Sequence, residues 1–267
     1  VNKRIARVSA DFPCWQSAVH AVENLAGNTV KVTLADGAAF VVRYFSDALD
    51  ELGSHRRTEA ELLTHLYGLD FVPQCYFQHD NGIVYHWVEG QPVAYWSEAL
   101  LAKLAMQLNT LHQFSQTAYS TLQTLPHLDL MQHIFGLLQQ LSPEHQGKWL
   151  LSLNDLPPYK ESPIATLGHH DLHRNNVILT PENHLVWLDW EYASWSNPAF
   201  DLASVIVNNQ LDNTQQQLLW RYYLRDNTVI KKTTQLKKLT TAYLPWVRLL
   251  NALWHAVKEE REHTCQQ

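Results

Sequence analysis

Cysteine is scarce in this chain of 267 residues: Cys14, Cys75 and Cys265 stand far apart and form no CxxC pair. An odd, dispersed set supports neither a disulfide framework nor a thiolate zinc site. Basic charge is scarce as well. Lys and Arg number 20 against 26 Asp and Glu, giving a net charge of −6, and lysines adjoin only at Lys231-Lys232 and Lys237-Lys238. Such a chain offers no basic field for a phosphate backbone, which argues against nucleic acid as a partner. Long apolar runs are missing too. No stretch reaches the length of a membrane span, and Val1-Asn2-Lys3-Arg4 leads into mixed polar and apolar residues. The expected setting is soluble, reducing and cytoplasmic, with no membrane partner. What the chain does have is a hydrophobic content of 46%, enough to bury a full core in one large domain or two unequal lobes.

From Ala21 the pattern reads as strand, turn at Ala26-Gly27-Asn28, and a second strand Thr29 to Leu34. Ala35-Asp36-Gly37 then turns into Ala38 to Phe45, and Asp80-Asn81-Gly82 joins Cys75-Tyr76-Phe77 to Ile83-Val84-Tyr85. These segments predict an antiparallel sheet. Residues 56 to 68 place Leu62, Leu63 and Leu66 on one helical face. After Glu89-Gly90-Gln91-Pro92 the character turns helical. Ser97-Glu98 opens a helix with a stripe of Leu100, Leu101, Leu104, Leu108 and Leu111, and Leu128 to Leu141 is a second helical stretch. A Pro-marked loop runs through Pro157-Pro158 to Pro163. Residues 167 to 190 read as short strands with a turn at Pro181-Glu182-Asn183, and helix returns from Asp201, with a long run from about Thr234 to His263.

The chemistry concentrates in Leu167-Gly168-His169-His170-Asp171-Leu172-His173-Arg174-Asn175-Asn176-Val177-Ile178-Leu179, followed by Val186-Trp187-Leu188-Asp189-Trp190-Glu191-Tyr192. Phosphoryl transfer needs a carboxylate to take the proton of the attacking hydroxyl and hard oxygen ligands to hold Mg²⁺ against nucleotide phosphates. Asp171 is the candidate base, and Asn176 and Asp189 are the candidate metal ligands. The clustered His169, His170 and His173 invite a metal-hydrolase reading through Asp171-Leu172-His173, but the GD and GNH[DE] blocks that chemistry requires are missing downstream.

The block HxDxxxxN followed by LDWEY resembles the catalytic and metal loops of the aminoglycoside phosphotransferase and choline kinase superfamily, relatives of the protein kinases. Leu188-Asp189-Trp190-Glu191-Tyr192 and Phe200-Asp201-Leu202 are most similar to the choline/ethanolamine kinase and bacterial thiamine kinase branches. The resemblance runs from about residue 21 to the end and is most specific over 167 to 202. It implies an α+β, two-lobed protein-kinase-like fold: a small antiparallel N-lobe over 1–88 that binds nucleotide, and a larger, mainly helical lobe over 89–267 for catalysis and substrate. It also implies ATP as co-substrate with Mg²⁺, Arg43 in place of the nucleotide-binding Lys, and Glu59 as its ion-pair partner, with Glu61 second. Gly27 and Asn28 fall in the phosphate loop, His169 in the structural position of the catalytic loop, and Asp201 in the position that braces it. Two departures leave ATP against GTP open: Arg for Lys, which grips phosphate differently, and a single glycine where GxGxxG is usual.

The expected acceptor is the hydroxyl of a small cationic metabolite of the choline/ethanolamine or thiamine type. Trp190, Glu191, Trp195, Trp246 and Trp254 are its candidate contacts, because aromatic faces beside a carboxylate attract a quaternary or thiazolium cation. Trp246 and Trp254, eight residues apart on one helix face, equally fit a core role. An aminoglycoside or sugar phosphotransferase, or a catalytically silent kinase-fold binding protein, are the alternatives.

Overall fold

The computed structural model describes residues 3–15, 18–25, 27–45, 56–158, 165–225 and 233–264. Ala26, Pro163, the Lys231-Lys232 pair and Cys265 lie outside the described residues. The chain divides into two compact units, Val1–Val93 with Val177–Glu191, and Ala94–Asn176 with Tyr192–Gln267. Each is discontinuous in sequence, whereas the reading above uses a single cut after residue 88.

The first unit opens with α1 (Lys3–Asp11), which was not anticipated. Its signal is present, since Ile5, Val8 and Phe12 recur at helical spacing and Val8 and Phe12 are buried. Strands β1 (Val19–Asn24), β2 (Thr29–Leu34) and β3 (Ala39–Tyr44) precede α2 (Arg56–His65), then come β4 (Cys75–His79) and β5 (Gly82–His86). They form one antiparallel sheet in the order β1-β2-β3-β5-β4. The expected turns are in place: Ala38 N donates to Asp36 Oδ1 at 2.9 Å, and Asp80-Asn81 leads into β5. Alternation along β3 sends Phe40, Val42 and Tyr44 into the cluster with Val8, Phe12 and Trp15. The period of two therefore sends Arg43 to the opposite face. A hairpin of Val177–Leu179 and Leu185–Trp187 completes this unit; Trp187 N donates to Phe71 O at 2.8 Å.

In the second unit, α3 (Glu98–Thr117) starts where expected. Ser97 caps it by accepting from Leu100 N at 3.3 Å, and Leu101, Leu104, Leu108 and Leu111 are fully buried. Next comes α4 (Leu130–Leu138), capped by Asp129. The Pro-marked loop begins later than read, because α5 (Pro143–Asn154) intervenes with Ser142 at its N-cap and Pro143 pre-set for the first turn. The short strands Thr166–Gly168 and Ser194–Ser196 pair antiparallel. They are followed by α6 (Pro198–Asn208), α7 (Asn213–Tyr223) and the long α8 (Thr233–Thr264). Pro198 to Ile206 of α6 are all buried, so this helix forms the floor on which the residues after Gly168 are built.

Candidate active site

In the second unit the strand Thr166–Gly168 delivers His169, His170 and Asp171 to a bend. His170 adopts a left-handed backbone with φ of 67°, a conformation costly for a non-glycine residue that persists only where its surroundings enforce it. Asp201, on the first turn of α6, does the enforcing. Its carboxylate accepts from His170 N at 2.8 Å, from His169 N at 3.3 Å, and from His112 Nε2 at 3.1 Å. Burial by itself would raise the Asp201 carboxyl; the hydrogen bonds from His112 and His170 outweigh it and hold the group well below the usual carboxylate range. The His112 ring is fully buried, and its Nδ1 lies 2.7 Å from the Tyr223 hydroxyl. With Nε2–H given to Asp201, Nδ1 accepts from Tyr223.

The bend requires Gly168. A Cβ there would lie 2.3 Å from His170 Cε1, because the imidazole folds back over the glycine while Nε2 reaches Ser194 O at 3.3 Å. Beyond the bend, His169 Nδ1 accepts from Asp171 N at 3.3 Å. Asn176 then closes the loop, its Nδ2 donating to both Asp171 O and Asp171 Oδ2 at 3.0 Å. Asn208 Nδ2 reaches Asp171 Oδ1 at 3.3 Å, and His173 Nε2 lies 3.6 Å from Asp171 Oδ2. The Asp171 side chain keeps 29% of its surface exposed, so the aligned carboxylate is accessible to solvent.

The first unit assembles a second charged cluster. Arg43 Nη1 donates to Glu59 Oε1 at 3.0 Å, and Nη2 donates to Asp189 Oδ1 at 2.7 Å and to Glu191 Oε2 at 2.9 Å. Burial works against the guanidinium charge, but Glu59, Asp189 and Glu191 overcome it and keep Arg43 protonated well above its usual value. Burial also pushes the Glu59 carboxyl up to about 7, against the pull of Arg43. Glu59 Oε1 additionally accepts from Trp190 N at 3.1 Å, which fixes the turn after Asp189, itself left-handed with φ of 66°. The expected pairing of Arg43 with Glu59 is therefore present. Gly27 and Asn28 occupy the exposed turn from β1 to β2; Gly27 has φ of 53°, and Asn28 O accepts from Tyr44 N at 3.0 Å.

A family model for the phosphotransferase enzyme family matches residues 19–233. The chain belongs to this family. Over 204 residues it is 26% identical to an uncharacterized protein of Mycoplasma pneumoniae, covering 75% of this chain and 67% of that one. Its match to Escherichia coli thiamine kinase is 31% identical over 108 residues, 40% of this chain and only 37% of the kinase. Choline kinase LicA from Streptococcus pneumoniae superposes with a TM-score of 0.73 at 20% identity, over 97% of this chain and 91% of that one, and LicA is also known in complex with AMP. The likeness in structure establishes the mixed α/β kinase-like fold.

Within this phosphotransferase, four of the five candidate acceptor contacts lie where they support the protein instead. Trp190 is 1% exposed, stacks near Trp187 at 5.8 Å and donates its indole N–H to Trp187 O at 2.9 Å. Trp195, equally buried, donates to Leu122 O at 2.8 Å. Trp246 is buried with its N–H on Pro157 O at 3.2 Å, and Glu191 is committed to Arg43. Expected as ligand faces, the three indoles are buried with satisfied N–H groups, as core indoles are. Trp254 alone of these is half-buried, with its N–H 3.2 Å from the Tyr192 hydroxyl and Lys258 Nζ 5.3 Å from its ring centroid. Asn208 and Tyr223 carry no signal of their own in the sequence, since each acts on a partner remote in sequence.

Two further side-chain oxygens are hard donors. Asn176 spends its amine end on Asp171, which turns Oδ1 away as a neutral donor, and the Asp189 carboxylate keeps 32% of its surface exposed. A carboxylate and an amide oxygen are hard donors of the kind Mg²⁺ takes when water and phosphate complete its shell. Asn176 belongs to the second unit and Asp189 to the first.

Proposed function

We propose that this chain transfers the terminal phosphoryl group of ATP to the hydroxyl of a small cationic metabolite of the choline/ethanolamine or thiamine type. The observation that carries the reading is the Asp171 carboxylate, aligned by Asn176 and Asn208 and 29% exposed. In the reaction the acceptor oxygen bonds to the terminal phosphorus, the bond from that phosphorus to the bridging oxygen breaks, and ADP leaves. Asp171 orients the hydroxyl and accepts its proton. Arg43 supplies the fixed positive charge for the phosphates, with Glu59 holding it in place. Asn176 and Asp189 would hold Mg²⁺, which when bound neutralises phosphate charge. Support for an adenine nucleotide comes from the AMP complex of the structurally similar choline kinase. Support for a cationic acceptor comes from Trp254 and Tyr192, partly exposed and joined to each other, whose ring faces attract cations.

The test is a nucleotide-consumption screen over choline, ethanolamine, thiamine, aminoglycosides and sugars, with Asp171→Ala as control. The expected result is turnover with one cationic alcohol, abolished in the variant while nucleotide binding survives. Stimulation by an aminoglycoside or sugar alone would replace the acceptor class. Nucleotide binding with no acceptor-dependent turnover would replace the enzyme with a silent binding protein.

A further inference from the structure

The end of α6 holds the loop at two adjacent points. Asn208, its last residue, donates through Nδ2 to Asp171 Oδ1 at 3.3 Å, and the next residue, Asn209, donates to Leu172 O at 2.7 Å. Each amide is set from behind. Asn251 of α8 donates through Nδ2 to Asn208 Oδ1 at 2.8 Å, and Trp96 Nε1 donates to Asn209 Oδ1 at 2.8 Å. An amide has one accepting and one donating end. With its oxygen claimed by Asn251, Asn208 has only N–H to offer the carboxylate.

We infer that Asn208 is a positioning residue for phosphoryl transfer, and that Asn251 is the residue that aims it. This rests on Asp171 being the catalytic base. Asn176 grips Oδ2 and Asn208 grips Oδ1, so the two amides fix the plane of the carboxylate from both oxygens. Asn208 is thereby the amide that holds Oδ1, the oxygen that the Asn176 contact does not reach. A base must present a lone pair along the line of the incoming hydroxyl, and small misplacements at such a centre are costly in rate. The relay is thus a device for orientation, and its loss belongs in kcat more than in nucleotide binding.

The experiment compares Asn208→Leu, Asn251→Leu and Asn251→Asp with the wild-type full chain, measuring kcat, KM for both substrates, nucleotide Kd and Tm. Asn208→Leu is expected to lower kcat roughly 10- to 100-fold while nucleotide Kd and Tm stay close to wild type. Asn251→Asp keeps size and polarity but can only accept; it captures the Asn208 amine end and turns the amide oxygen toward Asp171. It is therefore expected to be at least as damaging as Asn251→Leu, the reverse of what a packing role gives. Unchanged kcat in Asn208→Leu, or milder loss in Asn251→Asp than in Asn251→Leu, overturns the proposal. A second readout does not need turnover. The Asn208 side-chain amide signal in ¹⁵N spectra should shift in both Asn251→Leu and Asp171→Ala, and a signal that moves in neither overturns the relay, even if no acceptor is found and the kinase reading itself fails.

Discussion

Arg43 Nη2 donates to Asp189 Oδ1 at 2.7 Å, so the one residue proposed to grip phosphate already holds the carboxylate proposed to ligate the metal. Glu59 and Glu191, both buried, join the partly exposed Asp189 around one guanidinium. Removing the cation strands buried negative charge, which costs about 3–5 kcal/mol. Arg43→Met is accordingly expected to lose stability on that scale in urea titration, together with nucleotide binding. Arg43→Lys is expected to fall between, because an ammonium lacks the planar fork that reaches Glu59 through one nitrogen and Asp189 and Glu191 through the other. A Lys variant as stable and as tight for nucleotide as wild type would remove the fork from the account.

Gly168 and His170 form a coupled pair. A methyl group at residue 168 would occupy the space of the imidazole, at 2.3 Å from Cε1. The ring cannot simply swing away, since Phe200 packs edge-on at 5.3 Å and the backbone N–H of His170 is bound to Asp201. Gly168→Ala is expected to lower stability by about 1–3 kcal/mol, as overpacking does, and to reduce kcat by displacing the bend before Asp171. Gly168→Ala combined with His170→Gly should recover much of the lost stability in a melting experiment. Equal losses in the single and double variants would show that the clash is relieved elsewhere.

The parts of this fold visible in the sequence are those determined locally. Asp36-Gly37 and Asn81-Gly82 specify turns by their own backbone preferences, Ser97 and the leucine stripe specify α3, and Asp171 to Asn176 lie within one loop. What escaped depends on distant partners. Trp195 reads as an aromatic beside the metal loop, yet its N–H goes to Leu122, 73 residues away, and Asn208 acts on Asp171 across 37 residues. In α5 the apolar residues Trp149, Leu150, Leu151 and Leu153 are bunched rather than spaced, and Leu151 is 70% exposed, so no buried stripe announces the helix.

The aromatic residues divide by burial, and so should their variants. Trp195→Ala empties a fully buried site and is expected to cost about 3–5 kcal/mol, read as a lower denaturation midpoint. Trp254→Ala, at a half-buried position, is expected to cost far less stability and to raise KM for a cationic acceptor several-fold with nucleotide KM unchanged. If Trp254→Ala leaves acceptor KM untouched, the cation is recognised elsewhere.

Asp201 links the catalytic bend to α3 and α7, and its titration gives that link a pH signature. Its carboxyl lies well below the usual range in the folded chain, because three hydrogen bonds, from His112 Nε2 and from the backbone N–H groups of His169 and His170, favour the charged form with the His170 imidazole close by. A depressed carboxylate pKa contributes stability in full above the unfolded value of roughly 3.9, and that contribution fades as pH falls toward the folded value. Asp201→Asn should therefore be less stable than wild type at pH 7, by about 2 kcal/mol or more given three donors aimed at the charge, and the gap should narrow below about pH 4. Behind the carboxylate, His112→Phe removes one donor from Asp201 and the acceptor of the buried Tyr223 hydroxyl, whereas Tyr223→Phe removes the hydroxyl alone. The first is expected to cost about 1–3 kcal/mol and the second about 0.5–1.5 kcal/mol. In the double variant the Tyr223 change should add less than it does alone, since the His112 acceptor is already gone. Full additivity in that cycle would mean that Tyr223 supports the helices by packing and does not act through His112 on the bend that carries Asp171.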